Sequence, residues 1–200
     1  MHISDGILSS EVVIATSVIS VALVLYSLKT IKNSNIAIVS AMSAMFFIAS
    51  FIHIPMGPTQ IHLILLGIIG IVLGSSVFLS LIIALLLQAT LLGYGGLSSL
   101  GANLFIMAIP AYMIYLLTKF GFLNFLNEKI KYFSIGFLTV FFSTILLALI
   151  LALSKDEYLY ASYTIILANI PAMIIEGLIT LFLINYIKKS IPNLLEEVKL

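Results

Sequence analysis

Residues 61–92 hold no Asp, Glu, Lys or Arg in 32 consecutive positions. As a single helix rising 1.5 Å per residue, that run is about 48 Å long, well beyond the roughly 30 Å of a bilayer core. A second run, 135–153, is equally free of charge. A soluble domain carries about 25% charged residues. This 200-residue chain has 8%, against 62% hydrophobic. Too little polar surface exists to wrap a water-soluble globule, so the solvent is lipid. Membrane barrels alternate apolar and polar residues along each strand. These runs do not alternate, so helices, which satisfy their own backbone hydrogen bonds, are the spanning elements. The net charge of +1 gives no reason to expect a nucleic-acid partner. Cysteine is absent, so disulfides and thiolate metal sites are excluded. Any metal ligand is nitrogen or oxygen.

The apolar segments are 12–27, 36–54, 61–92, 102–118, 134–154 and 163–187. The overlong third segment is divided near Gly74-Ser75-Ser76. The connections are a turn at 55–60, a glycine-rich loop at 93–101, a polar stretch at 124–131, a loop at 155–162 and a polar tail at 188–200. The expectation is a single all-α integral membrane domain: a segment 1–8, a seven-helix bundle 12–187 and the tail 188–200. Positive charge favours the cytoplasmic side of a membrane. With the N-terminus outside and the C-terminus cytoplasmic, Lys29, Lys32, Lys119, Lys129, Lys131, Lys188, Lys189 and Lys199 lie inside and only Lys155 outside. Leaving 61–92 undivided would destroy that asymmetry. The chain reads as multi-pass in the cell (inner) membrane. Its start lacks the basic region of a signal peptide. The bulky His2 disfavours removal of the first residue, so Met1 is expected to be retained.

This topology places all three histidines, His2, His53 and His62, at or near the outer face. A lone histidine more often makes an ordinary hydrogen bond than binds metal. Three on one side of a chain so poor in polar residues favour a function. His2 has a special position. A free α-amine, the His2 amide nitrogen and the His2 ring close a five-membered and a six-membered chelate ring on one ion. A late divalent cation is needed to displace the amide proton. One further imidazole completes a planar four-nitrogen set, which suits Ni(II) or Cu(II) and excludes Mg(II) and Ca(II). His53 is expected to end the second helix. His62 is expected to open the third, after a turn held by Pro55, Gly57 and Pro58.

The 93–101 loop is no phosphate loop, because it lacks the lysine and the strand–helix context. Gln88 and Asn103 flank it, and Thr59 lies in the turn. With His53, these are candidates for an additional donor or for hydrogen bonds to a ligating histidine. Small residues at four-residue spacing, Ala37/Ala41 and Ser40/Ala44 in the second helix and Gly70/Gly74 in the third, mark faces of close helix approach. They serve internal packing or a partner subunit. Glu176, within the seventh helix, is expected to pair or face a cavity. No nucleophile–base arrangement and no ATP-binding motif occurs, so the chain does not read as an enzyme.

The opening Met1-His2-Ile3-Ser4-Asp5-Gly6-Ile7-Leu8 resembles the Met-His-Ile-Pro-Asp-Gly-Phe-Leu start of the CbiM/NikM family. Residues 57–63 are similar to that family's Gly-Gly-Thr-Ser-Gly-His-Leu turn, which aligns His62 with its metal-binding histidine. Gln88, Gly95, Gly96, Gly101 and Asn103 match a middle segment, and Glu176-Gly177-Leu178-Ile179-Thr180 resembles a late Glu-Gly-x-x-Thr motif. Ser4 departs from the family's proline, and His53 falls outside its pattern. The resemblance implies the substrate-capture (S) component of a cobalt or nickel energy-coupling factor (ECF) transporter. It further implies that the Met1 amine, the His2 amide and ring, and His62 hold Ni2+ or Co2+ as transported substrate, with no organic cofactor. The implied partners are a transmembrane coupling (T) protein, two ABC-type ATPases, and in some cases a small accessory membrane subunit. The alternative is a stand-alone secondary transporter or channel for a metal cation. Such proteins place ionisable groups at the bilayer midplane and show internal repeats. Here Glu176 is the lone deep acid and no repeat is evident.

Overall fold

The computed structural model describes residues 2–31, 35–56, 59–196, 198 and 200, and the side chains of 54–56 and 59–61 lie outside that description. The chain is helical apart from one small hairpin. Helices α1 (Ser10–Thr30) and α2 (Ile36–Ala49) are followed by strands β1 (His53–Met56) and β2 (Thr59–His62). Then come α3 (Leu66–Leu73), α4 (Val77–Leu87), α5 (Leu100–Lys119), α6 (Glu128–Ser154), α7 (Leu159–Ala168) and α8 (Ile170–Ser190).

Among the described residues, five helical runs are long and apolar enough to cross a membrane: Ser10–Thr30, Leu66–Leu92, Leu100–Lys119, Glu128–Ser154 and Asp156–Ser190; Ile36–Ala49 is apolar but shorter. The run Leu66–Leu92 is interrupted where the glycine and serines predict. A 3-10 turn occupies Gly74–Ser76, and Gly74 takes φ 54°, ψ −127°, which an α-helix cannot continue through. The eight residues of α3 reach only about 12 Å.

Three expectations are corrected. The second helix ends at Ala49, and His53–Met56 pairs antiparallel with Thr59–His62, with His53 opposite His62. His53 therefore starts a strand and His62 ends one, because strand pairing supplies the backbone partners that a free turn would lack. Residues 155–162 are mostly helical: a 3-10 turn at Asp156–Tyr158 leads into α7, and Pro171 stands in the first turn of α8. The sixth helix begins at Glu128, where the Asn127 side chain accepts the Ile130 N–H.

Close contacts tie the bundle together. A β-carbon on Gly70 would collide with the Ala111 backbone, and one on Gly136 with the Glu176 carbonyl and Thr180. Gly70 and Gly74 thus serve internal packing against α5, whereas Ala37, Ser40, Ala41 and Ala44 remain exposed. α6 lies along α7 and α8. One end of the bundle joins Ser9 to Ser154 (2.6 Å) and Ile3 to Asn103; the other joins Thr30 to Ser75 (3.1 Å) and Lys188 to Glu128 (3.3 Å). The hairpin and the segment preceding α1 meet at the first of these ends.

Candidate metal centre

Ile3 is where the N-terminal segment is anchored. Asn103, on α5, accepts the Ile3 N–H at 2.8 Å and donates to the Ile3 carbonyl at 3.0 Å. Ser99 Oγ donates to the same carbonyl at 2.7 Å. Asp5 adds a second anchor. Its carboxylate accepts from Leu97 N, Ser98 Oγ, Ser99 N and Ser99 Oγ at 2.6–3.2 Å. The Ser98 hydroxyl first, then the Ser99 amide, hold the Asp5 carboxyl below its ordinary range. A β-carbon on Gly96 would strike that carboxylate, so the glycine permits the close approach.

This double anchoring brings His2 against His62. Their rings stack with centroids 5.1 Å apart and planes 19° from parallel. Tyr94 lies 6.1 Å from His2 and 6.2 Å from His62. His53 stands 6.3 Å from both His62 and Tyr94. His2, Ser4, His53, His62, Gly93, Tyr94 and Gly95 line one open cleft of about 390 Å³.

The polar atoms of this cleft are unusual. Both ring nitrogens of His2 and Nε2 of His62 are buried without a hydrogen-bond partner among the described residues. Buried polar groups are paired in the great majority of cases, so an orphan calls for an explanation such as an ion. His62 Nδ1 lies 3.1 Å from the Leu63 carbonyl. A carbonyl only accepts, so Nδ1 carries the proton and Nε2 keeps a free lone pair, the form a metal ligand needs. Burial pushes the His62 imidazole down to about 4 and the His2 imidazole down to about 2. Both rings are neutral at pH 7. Among the described residues no three His, Asp or Glu side chains gather closely enough to hold a metal.

The remaining candidates separate. Met1 and the Thr59 side chain lie outside the described residues. Asn103, a candidate for bonding a ligating histidine, holds Ile3 instead, because its amide matches the donor and acceptor of an extended backbone. Gln88 is fully buried, and its amide has no partner among the described residues, so it does not bond a histidine either. Glu176 is explained. Its carboxylate accepts the Ile64 N–H at 2.6 Å and the Leu65 N–H at 3.1 Å, just beyond His62. Leu65 is in the left-handed region with φ 53°, so the carboxylate secures a strained strand-to-helix junction. Sequence reasoning missed the anchoring by Asp5, Ser98 and Ser99 and the packing of Tyr94. The one available signal was the adjacent serines after a glycine pair.

Fold and site together define a multi-pass helical membrane protein with an imidazole-lined cleft at one end of its bundle. Residues 2–194 match the family CbiM, described as the cobalt uptake substrate-specific transmembrane region, and the chain belongs to that family. A Haemophilus influenzae protein, provisionally named a metal transport protein, is 29% identical over 201 residues, covering 98% of each chain. The cobalt transport protein CbiM of Thermosipho melanesiensis is 30% identical over 214 residues, covering 98% of this chain and 90% of that one. An Archaeoglobus fulgidus relative, 24% identical over 208 residues, with 98% of this chain and 68% of that one covered, is provisionally named a fused nickel transport protein, NikMN. The crystal structure of a truncated transition metal transporter superposes with a TM-score of 0.80 at 24% identity, covering 94% of this chain and 99% of that one. The family is a transport component and not an enzyme.

Proposed function

We propose that this chain is the substrate-capture subunit of an ATP-driven ECF-type importer for Ni2+ or Co2+. The observation that carries the reading is the His2–His62 pair. Three buried ring nitrogens without a partner among the described residues belong to two rings stacked 5.1 Å apart, beside a backbone clamped at Ile3. In this reading the Met1 amine, the His2 amide, the His2 ring and His62 Nε2 supply four nitrogens to the ion. The Asn103 clamp fixes the peptide that follows His2, so the chelate is formed with little further ordering. Gly95 and Gly96 let the loop lie against Asn103, His2 and the Asp5 carboxylate.

Seven passes, with the N-terminus outside and the tail cytoplasmic, place the cleft on the outer face. Eight of nine lysines then lie inside, in keeping with the positive-inside rule. A T protein and two ABC-type ATPases supply the energy for inward release, and the exposed small residues of α2 offer a face for such a partner or for an accessory subunit.

The test is a one-residue N-terminal extension. It leaves every side chain in place and displaces the α-amine. Isothermal titration of the purified chain with Ni2+ and with Co2+ is expected to show affinity falling by more than about 100-fold, beyond the 10–100-fold cost of disturbing groups around a metal site. Unchanged affinity defeats the chelate.

A further inference from the structure

His53 is the imidazole that the four-nitrogen set leaves over. It sits directly across the hairpin from His62. Residues opposite one another in an antiparallel pair project to the same face, with β-carbons about 4.5–5.5 Å apart. The two rings meet at 6.3 Å and 71°. Its exposure differs from that of its partners. The His53 side chain is exposed at the rim, whereas the ring nitrogens of His2 and Nε2 of His62 are buried. His53 Nδ1 lies 3.1 Å from the Phe51 carbonyl, which fixes the proton on Nδ1. Its Nε2 is then a free lone pair, approached among the described residues by the Tyr94 hydroxyl at 3.4 Å. That is a long bond, and water or a cation displaces it at little cost.

We propose that His53 and His62 form a landing site that takes the divalent cation from water and passes it to the His2–His62 pair. Metal–nitrogen bonds of about 2.0–2.1 Å hold the centroids of two imidazoles sharing one ion roughly 4.5–6.5 Å apart. Both pairs fall in that range: 5.1 Å for His2–His62 and 6.3 Å for His53–His62. His62 is common to the two. The ion exchanges His53 for the N-terminal donors while His62 Nε2 keeps hold of it. A hydrated divalent ion loses its water in steps, and each donor offered on the way lowers the barrier to the next loss. No electron moves; one proton leaves the His2 amide and another leaves the Met1 α-ammonium, whose ordinary pKa of about 7.7–8.0 keeps it mostly protonated at pH 7, and both go to water. His53 belongs to the path and not to the resting site, which distinguishes it from a fifth ligand.

This inference rests on the metal-capture reading, and the two have separable failures. A donor used only on the path lowers the barrier in both directions, so its loss slows binding and release alike and leaves the equilibrium constant where it was. Stopped-flow measurement of Ni2+ and Co2+ binding to the full chain tests this, together with a chelator chase for release. His53→Ala is expected to reduce both rates by about tenfold, a barrier raised by about 1.4 kcal/mol. The dissociation constant and the Co2+ absorption bands stay unchanged. His53→Cys, which puts a metal-binding side chain back at the same exposed position, is expected to recover both rates. Rates unaltered by His53→Ala overturn the landing site and leave the capture reading standing. A changed dissociation constant or shifted Co2+ bands make His53 a resident ligand and also overturn it. Absence of metal binding to the unaltered chain removes both readings at once.

Discussion

Two adjacent parts of the same cleft are built on opposite principles. At Ile3 and Asp5 the N-terminal segment is saturated with partners: Asn103 and Ser99 hold the Ile3 backbone, and Leu97, Ser98 and Ser99 fill the Asp5 carboxylate. At His2, one residue earlier, both ring nitrogens are buried with no partner among the described residues, and His62 Nε2 is the same. An unpaired buried polar group costs about 1–3 kcal/mol. The same end of the fold pairs the Ile3 backbone and the Asp5 carboxylate and leaves three imidazole nitrogens without a partner among the described residues. Rigid anchoring and vacant donors are complementary. The first keeps the second from collapsing onto local partners.

The comparison breaks most severely at His62. His62→Ala removes the donor common to both ring pairs, and Ni2+ affinity measured by titration is expected to fall by more than about 100-fold, beyond what loss of a supporting residue costs. Thermal stability of the metal-free protein should hold or rise, since a bare nitrogen has been removed. A metal affinity left intact would show that the vacant nitrogens serve no ligand.

Asn103→Ala attacks the saturated side. It strips the Ile3 N–H of its acceptor and frees the segment carrying His2, while leaving both rings present. Affinity for Ni2+ should drop by about 10–100-fold, with a stability loss of about 1–3 kcal/mol from the orphaned amide. If stability falls and affinity does not, the anchor is structural alone.

The gentlest probe is pH. Burial holds His62 at about 4 and His2 at about 2, against 6.5 for the free ring. Their folded values are depressed, so the unfolded chain binds protons more readily. Their contribution to stability is fully present above pH 6.5 and is lost as the pH falls toward 4 and below. Stability of the metal-free protein at pH 7.5 and 5 should differ by roughly 2 kcal/mol for each ring, since pH 5 lies about 1.5 units below the free-ring value and above both folded values. The difference should shrink in His62→Ala. An identical pH dependence in that variant would mean that His62 is not the buried neutral ring described here.

Much of this was legible in residues alone. His2 and His62 were singled out by their positions, and they stack. The break at Gly74-Ser75-Ser76 lies where the overlong run required one. Glu176, conspicuous as an acid among apolar residues, does have partners. Those partners are the backbone amides of Ile64 and Leu65, not a cation, because a strained junction exposes N–H groups that no periodicity announces. The hairpin 53–62 was equally hidden, since Pro55 and Pro58 argue for a turn and strand pairing depends on a partner strand. Asn103 was noticed but given the wrong partner. Its true one, Ile3, is 100 residues away.

Hydropathy is a sum over neighbours along the chain. The sequence by itself therefore determined that the solvent is lipid, that helices cross it and that nitrogen and oxygen are the available donors. Hydrogen-bond satisfaction is a property of groups that meet only after folding. Which imidazole nitrogens stay bare, which carboxylate pins the N-terminal segment, and that His53 faces His62 across two strands were decided by the tertiary structure alone.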